Sequence, residues 1–205
     1  MAVWSSVNLA EILGFNRVDA EFYKPDYQES FQRVKSCDGE RISRCAYVTD
    51  GIHASPQIYD GLQKTSETAF GSAVEGHILK NDLLIYATGA YIGRTNAYLR
   101  SAPALASNHV NILRLIPGID AAYMALVFQS VIGQFQTQKH ARGSAQAELY
   151  PADIDRFVVP LLDPTKQAAI GNPVRESLEK QQESKHLLDQ AKTRVEQLIE
   201  KAVRL

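Results

Sequence analysis

The stretch that organises the chain, residues 83–147, is LLIYATGAYIGRTNAYLRSAPALASNHVNILRLIPGIDAAYMALVFQSVIGQFQTQKHARGSAQA. It contains one acid, Asp120, and five permanent cations: Arg94, Arg100, Arg114, Lys139 and Arg142. The whole chain has a formal net charge of −1, so the distribution of charge is what stands out. A cation near a phosphate releases a counterion, whereas a nearby acid opposes that binding. The stretch therefore predicts contact with a polyanion, unless it is a buried apolar core that excludes charges of both signs.

Hydrophobic periodicity in the same stretch predicts a β-rich core followed by a helix. The predicted strands are 83–87, 94–99 and 109–116; the predicted helix is 121–132, ended by Gly133, and a polar loop covers 134–146. Before this stretch we expect helices at 6–13 and 27–35 and strands at 41–48 and 74–80. After it we expect a helical turn at 151–154 and a strand at 156–161. The fold class is α+β.

A long helix is predicted at the C-terminal end of the sequence. Asp163 and Pro164 form a typical helix start, and Gly171-Asn172-Pro173 is expected to break or kink the helix. The helix then continues over 174–205, with an apolar seam at alternating spacings of three and four. The seam residues are Leu188, Ala191, Val195, Leu198 and Ala202. Such a seam predicts pairing with another helix.

The known catalytic and metal-binding motifs are absent from the sequence. The histidines form no HExxH, HxH or Cys/His pattern, and neither a Walker loop, a GxGxxG nor a GxSxG occurs. We therefore expect no catalytic residues and no metal. Cys37 and Cys45 are read as reduced thiols, and neither a membrane-spanning run nor a secretory signal is recognised. These features together predict a non-enzymatic binding protein of the cytoplasm.

Two segments are the main candidates for direct contact with DNA. In the loop 134–146, Gln can pair with adenine, Arg with guanine, and Lys or His with phosphate. Between Gly89 and Gly93, Tyr91 and Arg94 are expected at the tip of a tight turn. The alternatives are a solvated loop and a simple strand connection. The residues predicted to contact DNA are Gln57, Tyr59, Tyr91, Arg94, Asn108, His109, Lys139, His140, Arg142, Ser144 and Gln146.

Four blocks, in order along the chain, resemble the specificity subunit of type I restriction–modification systems. They are Arg17–Tyr23 (RVDAEFY), Asn81–Arg94 (NDLLIYATGAYIGR), Gly143–Gln146 with Pro151–Ile154 (GSAQ and PADI), and Val158–Ile170 (VVPLLDPTKQAAI). The second block has Asn81 where the family usually has glycine, and in the fourth Asp163 stands where a second proline is common. Each block is weak alone, but their order and spacing cover nearly the whole chain.

The resemblance implies a DNA target recognition domain at 1–160 and a spacer helix at 161–205. In the family, each recognition domain reads one half of a split double-stranded target, and two spacer helices pair as an antiparallel coiled coil. Methyltransferase subunits and restriction/translocase subunits assemble on this scaffold. S-adenosylmethionine, ATP and Mg²⁺ would be bound by those partners, so the resemblance implies no cofactor and no catalysis for this chain.

The family's usual subunit has two recognition domains and two helices, whereas this sequence has one of each and no internal repeat. We therefore expect a half-length form that makes a homodimer through the helix seam and reads a palindromic split site. The alternatives are a recognition module of a type II restriction–modification enzyme, a coiled-coil adaptor that does not bind DNA, and a small hydrolase with an unrecognised site.

Overall fold

We analysed a computed structural model, which describes residues 6–15, 17, 19–37, 39–50, 65–143 and 146–203. The helices are α1 Leu9–Phe15, α2 Pro25–Ser36, α3 Ile42–Cys45, α4 Glu67–Ser72, α5 Ala121–Gln129, α6 Val131–His140, α7 Pro151–Ile154 and α8 Pro164–Val203. The strands are β1 Gly39–Arg41, β2 Ala46–Asp50, β3 His77–Ile78, β4 Leu83–Tyr86, β5 Thr95–Ala97, β6 Ala104–Leu105, β7 Val110–Leu115 and β8 Val158–Pro160. The predicted α+β class, with a β-rich core and a long C-terminal helix, is confirmed. The strand expected at 41–48 is instead β1, the short helix α3 and β2, and most of the strand expected at 74–80 is not a strand.

A four-stranded antiparallel sheet, in the order β2-β7-β4-β5, forms the centre of the domain. Side chains alternate between the two faces of a strand, and on one face Leu83, Ile85 and Leu113 are fully buried. They belong to the main core together with Met124 and Phe128 of α5. The other face carries a smaller core, in which the ribbon β3–β6 covers the central strands. The sheet is therefore a rigid support for the loops at its ends.

The turn before β4 explains why asparagine can occupy position 81. Asn81 has a backbone φ of 73°, in the left-handed region that favours glycine and tolerates asparagine. Its N–H donates to the carbonyl of Tyr98 at 2.7 Å, and this bond fixes the turn. Asparagine keeps the backbone conformation that the position requires.

The polar run predicted as a loop is largely helical, and the expected helix end at Gly133 is wrong. α5 ends at Gln129 and α6 begins at Val131, with the Ser130 hydroxyl accepting from the N–H of Ile132 at 3.3 Å. Gly133 lies inside α6, where a Cβ would overlap the backbone of Phe128. The glycine is thus required by the close packing of the two helices rather than by a helix end.

Helix α6 is held in the core by a side-chain amide. Gln136 is buried, and its Nε2 donates to the carbonyl of Val158 at 2.8 Å while its Oε1 accepts from the N–H of Val158 at 2.6 Å. The amide therefore satisfies the backbone of β8 as a neighbouring strand would. A polar residue that looks like loop material in the sequence is in fact a core contact.

Helix α8 starts at Pro164 as predicted, but it is not broken at residues 171–173. A Cβ on Gly171 would overlap the carboxylate of Asp120, the residue that caps the N-terminus of α5. The buried Gln167 accepts from the N–H of Asp120 at 2.8 Å and donates to the carbonyl of Leu162 at 2.6 Å. Asp120 also forms an ion pair with Arg175. The first part of α8 is therefore anchored on α5, and Gly171 permits that close approach.

The distal part of α8 extends into solvent. Every residue from 176 to 200 is exposed, including Leu188 at 60%, Val195 at 55% and Leu198 at 60%. The side chain of Ala202 lies outside the described part of the chain. The part of the predicted seam from Leu188 to Leu198 is thus exposed on one helix.

Candidate nucleic-acid interface

Three segments meet at one end of the central sheet: 87–94 after β4, 107–109 before β7, and 141–149. The N–H of Ala87 donates to the carbonyl of His109 at 2.8 Å, and the N–H of Leu149 donates to the carbonyl of Ala87 at 2.8 Å. We call the residues there the loop surface: the half-buried Thr88 and the exposed Tyr86, Tyr91, Arg94, His109, Arg142, Gln146 and Tyr150. β2 also ends at this end of the sheet, but Gln57 and Tyr59 lie outside the described residues.

The turn 87–94 places an aromatic and a cationic side chain in solvent. Gly89 and Gly93 have φ values of 78° and 77°, so the turn uses the glycine dihedrals that the sequence suggests. Tyr91 is 63% exposed, and the guanidinium carbon of Arg94 lies 5.8 Å from the centre of its ring. A Cβ on Gly93 would overlap Thr137 of α6, so the turn is also packed against the helix. Tyr91 and Arg94 are therefore exposed on a well-supported turn.

The segment 141–149 closes on itself beside this turn. Arg142 and Glu148 exchange two backbone hydrogen bonds, at 2.8 and 2.7 Å, and Gly143 has a φ of 101°. Gln146 is exposed within the closed turn, whereas Ser144 lies outside the described residues. The backbone pairing gives Gln146 a defined position next to β4.

The histidine and asparagine before β7 contribute to the same surface. The exposed His109 shares a hydrogen bond with Thr88, with 3.0 Å between Nδ1 and Oγ1. Asn108 is half-buried and has a partner within the chain. The sequence did not single out Tyr86, Thr88 or Tyr150, whose positions depend on the pairing of distant segments.

Arg142 is held by a buried acid. Its Nη2 donates to Asp153 Oδ1 at 2.6 Å; the Arg142 side chain is 48% exposed, and the Asp153 side chain is 1% exposed. The hydrogen bond to Asp153 raises the pKa of Arg142 above its usual value. Part of the guanidinium faces solvent, so Arg142 has both a structural contact and a surface on which a ligand can bind.

Lys139 and His140 lie in the core, so the prediction that they contact DNA is wrong. Both residues are 1% exposed. The Nζ of Lys139 lies 5.1, 4.6 and 4.9 Å from the ring centres of Phe15, Phe22 and Phe31, an arrangement in which cation–π attraction stabilises the charge. Burial lowers the pKa of Lys139 to about 8. It also lowers the pKa of His140 to about 3, with the Lys139 charge adding to the effect.

The N-terminal block Arg17–Tyr23 packs against the buried residues Lys139 and His140. Arg17 donates to the carbonyls of Lys139 and His140, each at 3.4 Å, and forms an ion pair with Asp19 at 2.7 Å. These contacts satisfy carbonyls at the end of α6 that have no partner within the helix. The structure thus gives this block of the resemblance a packing role.

The charge distribution has a structural explanation that weakens the electrostatic prediction. Arg114 pairs with the buried Asp82 at 2.8 Å, as Arg142 pairs with Asp153. Both acids lie just outside the acid-poor stretch 83–147. Arg114, Arg142 and the buried Lys139 are therefore engaged within the chain, so a surface built from all five cations does not exist.

The loop surface is nearly balanced in charge. It exposes Arg94 and Arg142, and the half-buried Glu148 lies beside them with its carboxylate bonded to the hydroxyl of Tyr150. A ligand bound here would be recognised through hydrogen bonds and aromatic contacts more than through net charge.

Within the described ranges, no group of three or more His, Cys, Asp and Glu side chains could hold a metal ion. Among the helices of those ranges, none combines the length and apolar character needed to cross a membrane.

Comparison with known proteins gives matches among solved structures alone: no protein-family model and no curated protein matches the sequence. The fold is similar to that of the S subunit of a type I restriction–modification system from M. genitalium, with 14% identity, a TM-score of 0.51, and 69% of this chain and 38% of that chain covered. The HsdS subunit from Thermoanaerobacter tengcongensis matches with 12% identity and a TM-score of 0.45, covering 83% of this chain and 47% of that one. A chain from a structure on complex assembly and conformational transition of the type I R-M system matches with 12% identity and a TM-score of 0.48, covering 93% and 53%.

The first of these similarities shows a shared fold. The mixed α/β architecture with a β-rich core and a long C-terminal helix is that of the M. genitalium S subunit. The chain spans 38% of the length of that subunit.

Proposed function

We propose that this chain is a DNA-recognition subunit of a type I restriction–modification system. In this proposal, residues 1–160 form one target recognition domain that reads one half of a split double-stranded site, and residues 161–205 form the spacer helix. The observation that carries the proposal is the loop surface, which presents Tyr91, Arg94 and Gln146 on a fold shared with an S subunit.

The exposed groups have the chemistry that base recognition requires. An arginine can donate two hydrogen bonds to guanine, and a glutamine can pair with adenine in the major groove. Arg94 and Gln146 supply these groups, and both lie on turns fixed by backbone hydrogen bonds. The support matters because a reading side chain on a fixed turn loses little conformational freedom on binding.

The exposed seam of α8 supports pairing with a second helix. From Glu176 to Val203 the helix rises roughly 42 Å, at about 1.5 Å per residue, and Leu188, Val195 and Leu198 are exposed along it. We propose that a second copy supplies the partner helix, in an antiparallel coiled coil. A two-fold dimer would read a palindromic site, because symmetric proteins read symmetric DNA.

The chain has no catalytic role in this proposal. Methyltransferase subunits and restriction/translocase subunits would bind to it in the cytoplasm and would supply S-adenosylmethionine, ATP and Mg²⁺. A recognition module of a type II enzyme would use the same loop surface, so the composition of the purified complex distinguishes the two systems.

The test is co-expression and co-purification with a type I methyltransferase subunit from the same genome, followed by a methylation assay on a random plasmid library. We expect methylation at a discrete split palindrome. Methylation at a discrete asymmetric site would support DNA recognition by this chain but refute the proposed homodimer. If no complex forms and no site is methylated, the proposal is wrong and an adaptor function is favoured by the exposed helix.

Variants of the loop surface make the test specific to the proposed residues. Replacing Arg94 or Gln146 by alanine should reduce discrimination at one base position by roughly 1–3 kcal/mol, the range for a good bidentate contact. The matched control is Arg33→Ala, an exposed arginine on α2 far along the chain from the loop surface. An equal loss of binding affinity for specific and random DNA would indicate that the residue contacts phosphate rather than a base.

A further inference from the structure

A groove runs beside the Tyr91–Arg94 turn, along β5. It encloses about 380 Å³, and its lining includes Tyr91, Arg94, Asn96, Gln129 and Gln134. Two of these residues, Tyr91 and Arg94, also belong to the loop surface. The groove is therefore a lateral extension of the proposed reading surface.

The amide of Gln134 has a fixed orientation. Its Nε2 donates to the carbonyl of Gly93 at 3.4 Å and to the carbonyl of Phe128 at 3.1 Å. Because carbonyl oxygens only accept, the nitrogen must face them, and both of its N–H groups are used. The polar atom that Gln134 can still offer to a ligand is Oε1, an acceptor.

Gln129 is oriented in a similar way. Its Nε2 donates to the carbonyl of Thr95 at 2.7 Å, which also satisfies a backbone group on the outer edge of β5. Gln129 is exposed and Gln134 is half-buried, and both line the groove. Each side chain thus presents an oxygen that can accept a hydrogen bond, and Gln129 also keeps one N–H that can donate.

A fixed acceptor such as the Oε1 of Gln134 selects for a hydrogen-bond donor. In the major groove, adenine and cytosine present exocyclic amino groups, whereas guanine and thymine present the acceptors O6 and O4 at the equivalent place. An ordinary glutamine can rotate its amide to suit either kind of base, but Gln134 cannot do so without losing two hydrogen bonds to the backbone.

We propose that Gln129 and Gln134 form an amino-group reader that selects adenine or cytosine at one position of the DNA target. The inference rests on the proposed function and adds two specificity-determining residues. Gln129 lies outside the segments that the sequence indicates, and Gln134 begins the indicated run 134–146 but is not among the residues predicted to contact DNA. Arg94 lines the same groove and can donate hydrogen bonds to the acceptors O6 and N7 of a guanine at an adjacent position.

The test compares the base preferences of the complex with wild-type chain, Gln129→Leu, Gln134→Leu and the matched control Gln32→Leu, an exposed glutamine on α2. The assay is methylation of a library randomised at the recognised site. We expect the wild type to favour adenine or cytosine at one position by roughly fivefold to a hundredfold, the range for a single good base contact. Each groove variant should lose the base preference at that position and keep the preferences at the other positions.

The outcomes separate this inference from the proposed function. If the wild type has a discrete site and both folded groove variants keep its full preference, or lose activity equally at every position, the amino-group reader is refuted and the proposed function stands. If the wild type has no sequence preference, both are refuted. Gln134→Leu removes two hydrogen bonds to the backbone, so its thermal unfolding is measured first, and Gln129→Leu decides the question if the other variant is unfolded.

Discussion

Truncation of Arg142 should destabilise the fold as well as weaken DNA recognition. In Arg142→Ala, the carboxylate of Asp153 stays buried at 1% exposure and loses its hydrogen-bonded cation. An unpaired buried charge is costly because protein surroundings solvate it poorly. The variant therefore tests a structural role that the sequence does not reveal.

The magnitude follows from the exposure of the pair. Removing one partner of a fully buried ion pair costs about 3–5 kcal/mol. The Arg142 side chain is 48% exposed, so water can enter the space it leaves, and we expect a loss of about 2–3 kcal/mol. For a domain of this size, each kcal/mol lowers the melting temperature by roughly 2–4 °C, so Arg142→Ala should melt about 5–10 °C lower than the wild type.

A double-mutant cycle isolates the buried charge. Asp153→Asn alone should cost about 1 kcal/mol, and Arg142→Ala combined with Asp153→Asn should be more stable than Arg142→Ala alone, because no buried charge remains. Urea unfolding of the four proteins gives these free energies. The control is Arg44→Ala, whose exposed pair with Glu40 should contribute less than about 1 kcal/mol.

The same cycle separates stability from recognition. If Arg142 also contacts DNA, the double variant regains stability but not target discrimination. The reasoning is refuted if Arg142→Ala melts within about 1 °C of the wild type, or if adding Asp153→Asn lowers its stability further.

The other predictions concern pH, the helix seam and the anchor of α8. The pKa of His140 is about 3 in the folded chain and ordinarily 6.5, so the unfolded chain binds more protons between these values, and the free energy of unfolding should fall by roughly 3–5 kcal/mol as pH decreases from 6.5 to 3. His140→Phe, which places a phenyl ring among the same aromatic rings, should weaken this pH dependence in thermal unfolding. The control His186→Gln, on the exposed part of α8, should leave the pH dependence unchanged. Leu198→Glu should abolish self-association, measured by sedimentation, and leave the melting temperature of the domain unchanged. An unchanged oligomeric state would show that the seam is not the dimer interface. Gln167→Ala should lower the free energy of unfolding by about 1–3 kcal/mol, since it removes a buried side chain and leaves the N–H of Asp120 without its partner. An unchanged unfolding midpoint would contradict this anchor.

Local patterns were sufficient to predict three strands of the central sheet, β4, β5 and β7, and the long helix. The alternation around Leu83, Ile85 and Leu113 places the buried face of β4 and β7, because side chains of a strand alternate between faces. The start of α8 at Pro164 follows from its capping residues, and the glycines around Tyr91 indicate its turn. These features depend on neighbours within a few residues, so the sequence contains the information directly.

The positions of the polar residues depended on contacts between distant segments. Gln136 bonds to Val158, 22 residues away, and Arg114 bonds to Asp82, 32 residues away. Lys139 is surrounded by phenylalanines of the N-terminal segment. Composition and periodicity describe these side chains as polar and therefore exposed, since a lone polar group is unfavourable in the core.

The sequence by itself determined the α+β class, the long C-terminal helix and the exposed turn with Tyr91 and Arg94. Only the tertiary structure decided which cations remain available to a ligand. Arg114 and Arg142 have acidic partners just outside the acid-poor stretch, and Lys139 is buried. The physical reason is that the availability of a charged group depends on its partner and its burial, and both are set by chain segments that meet only in the folded protein.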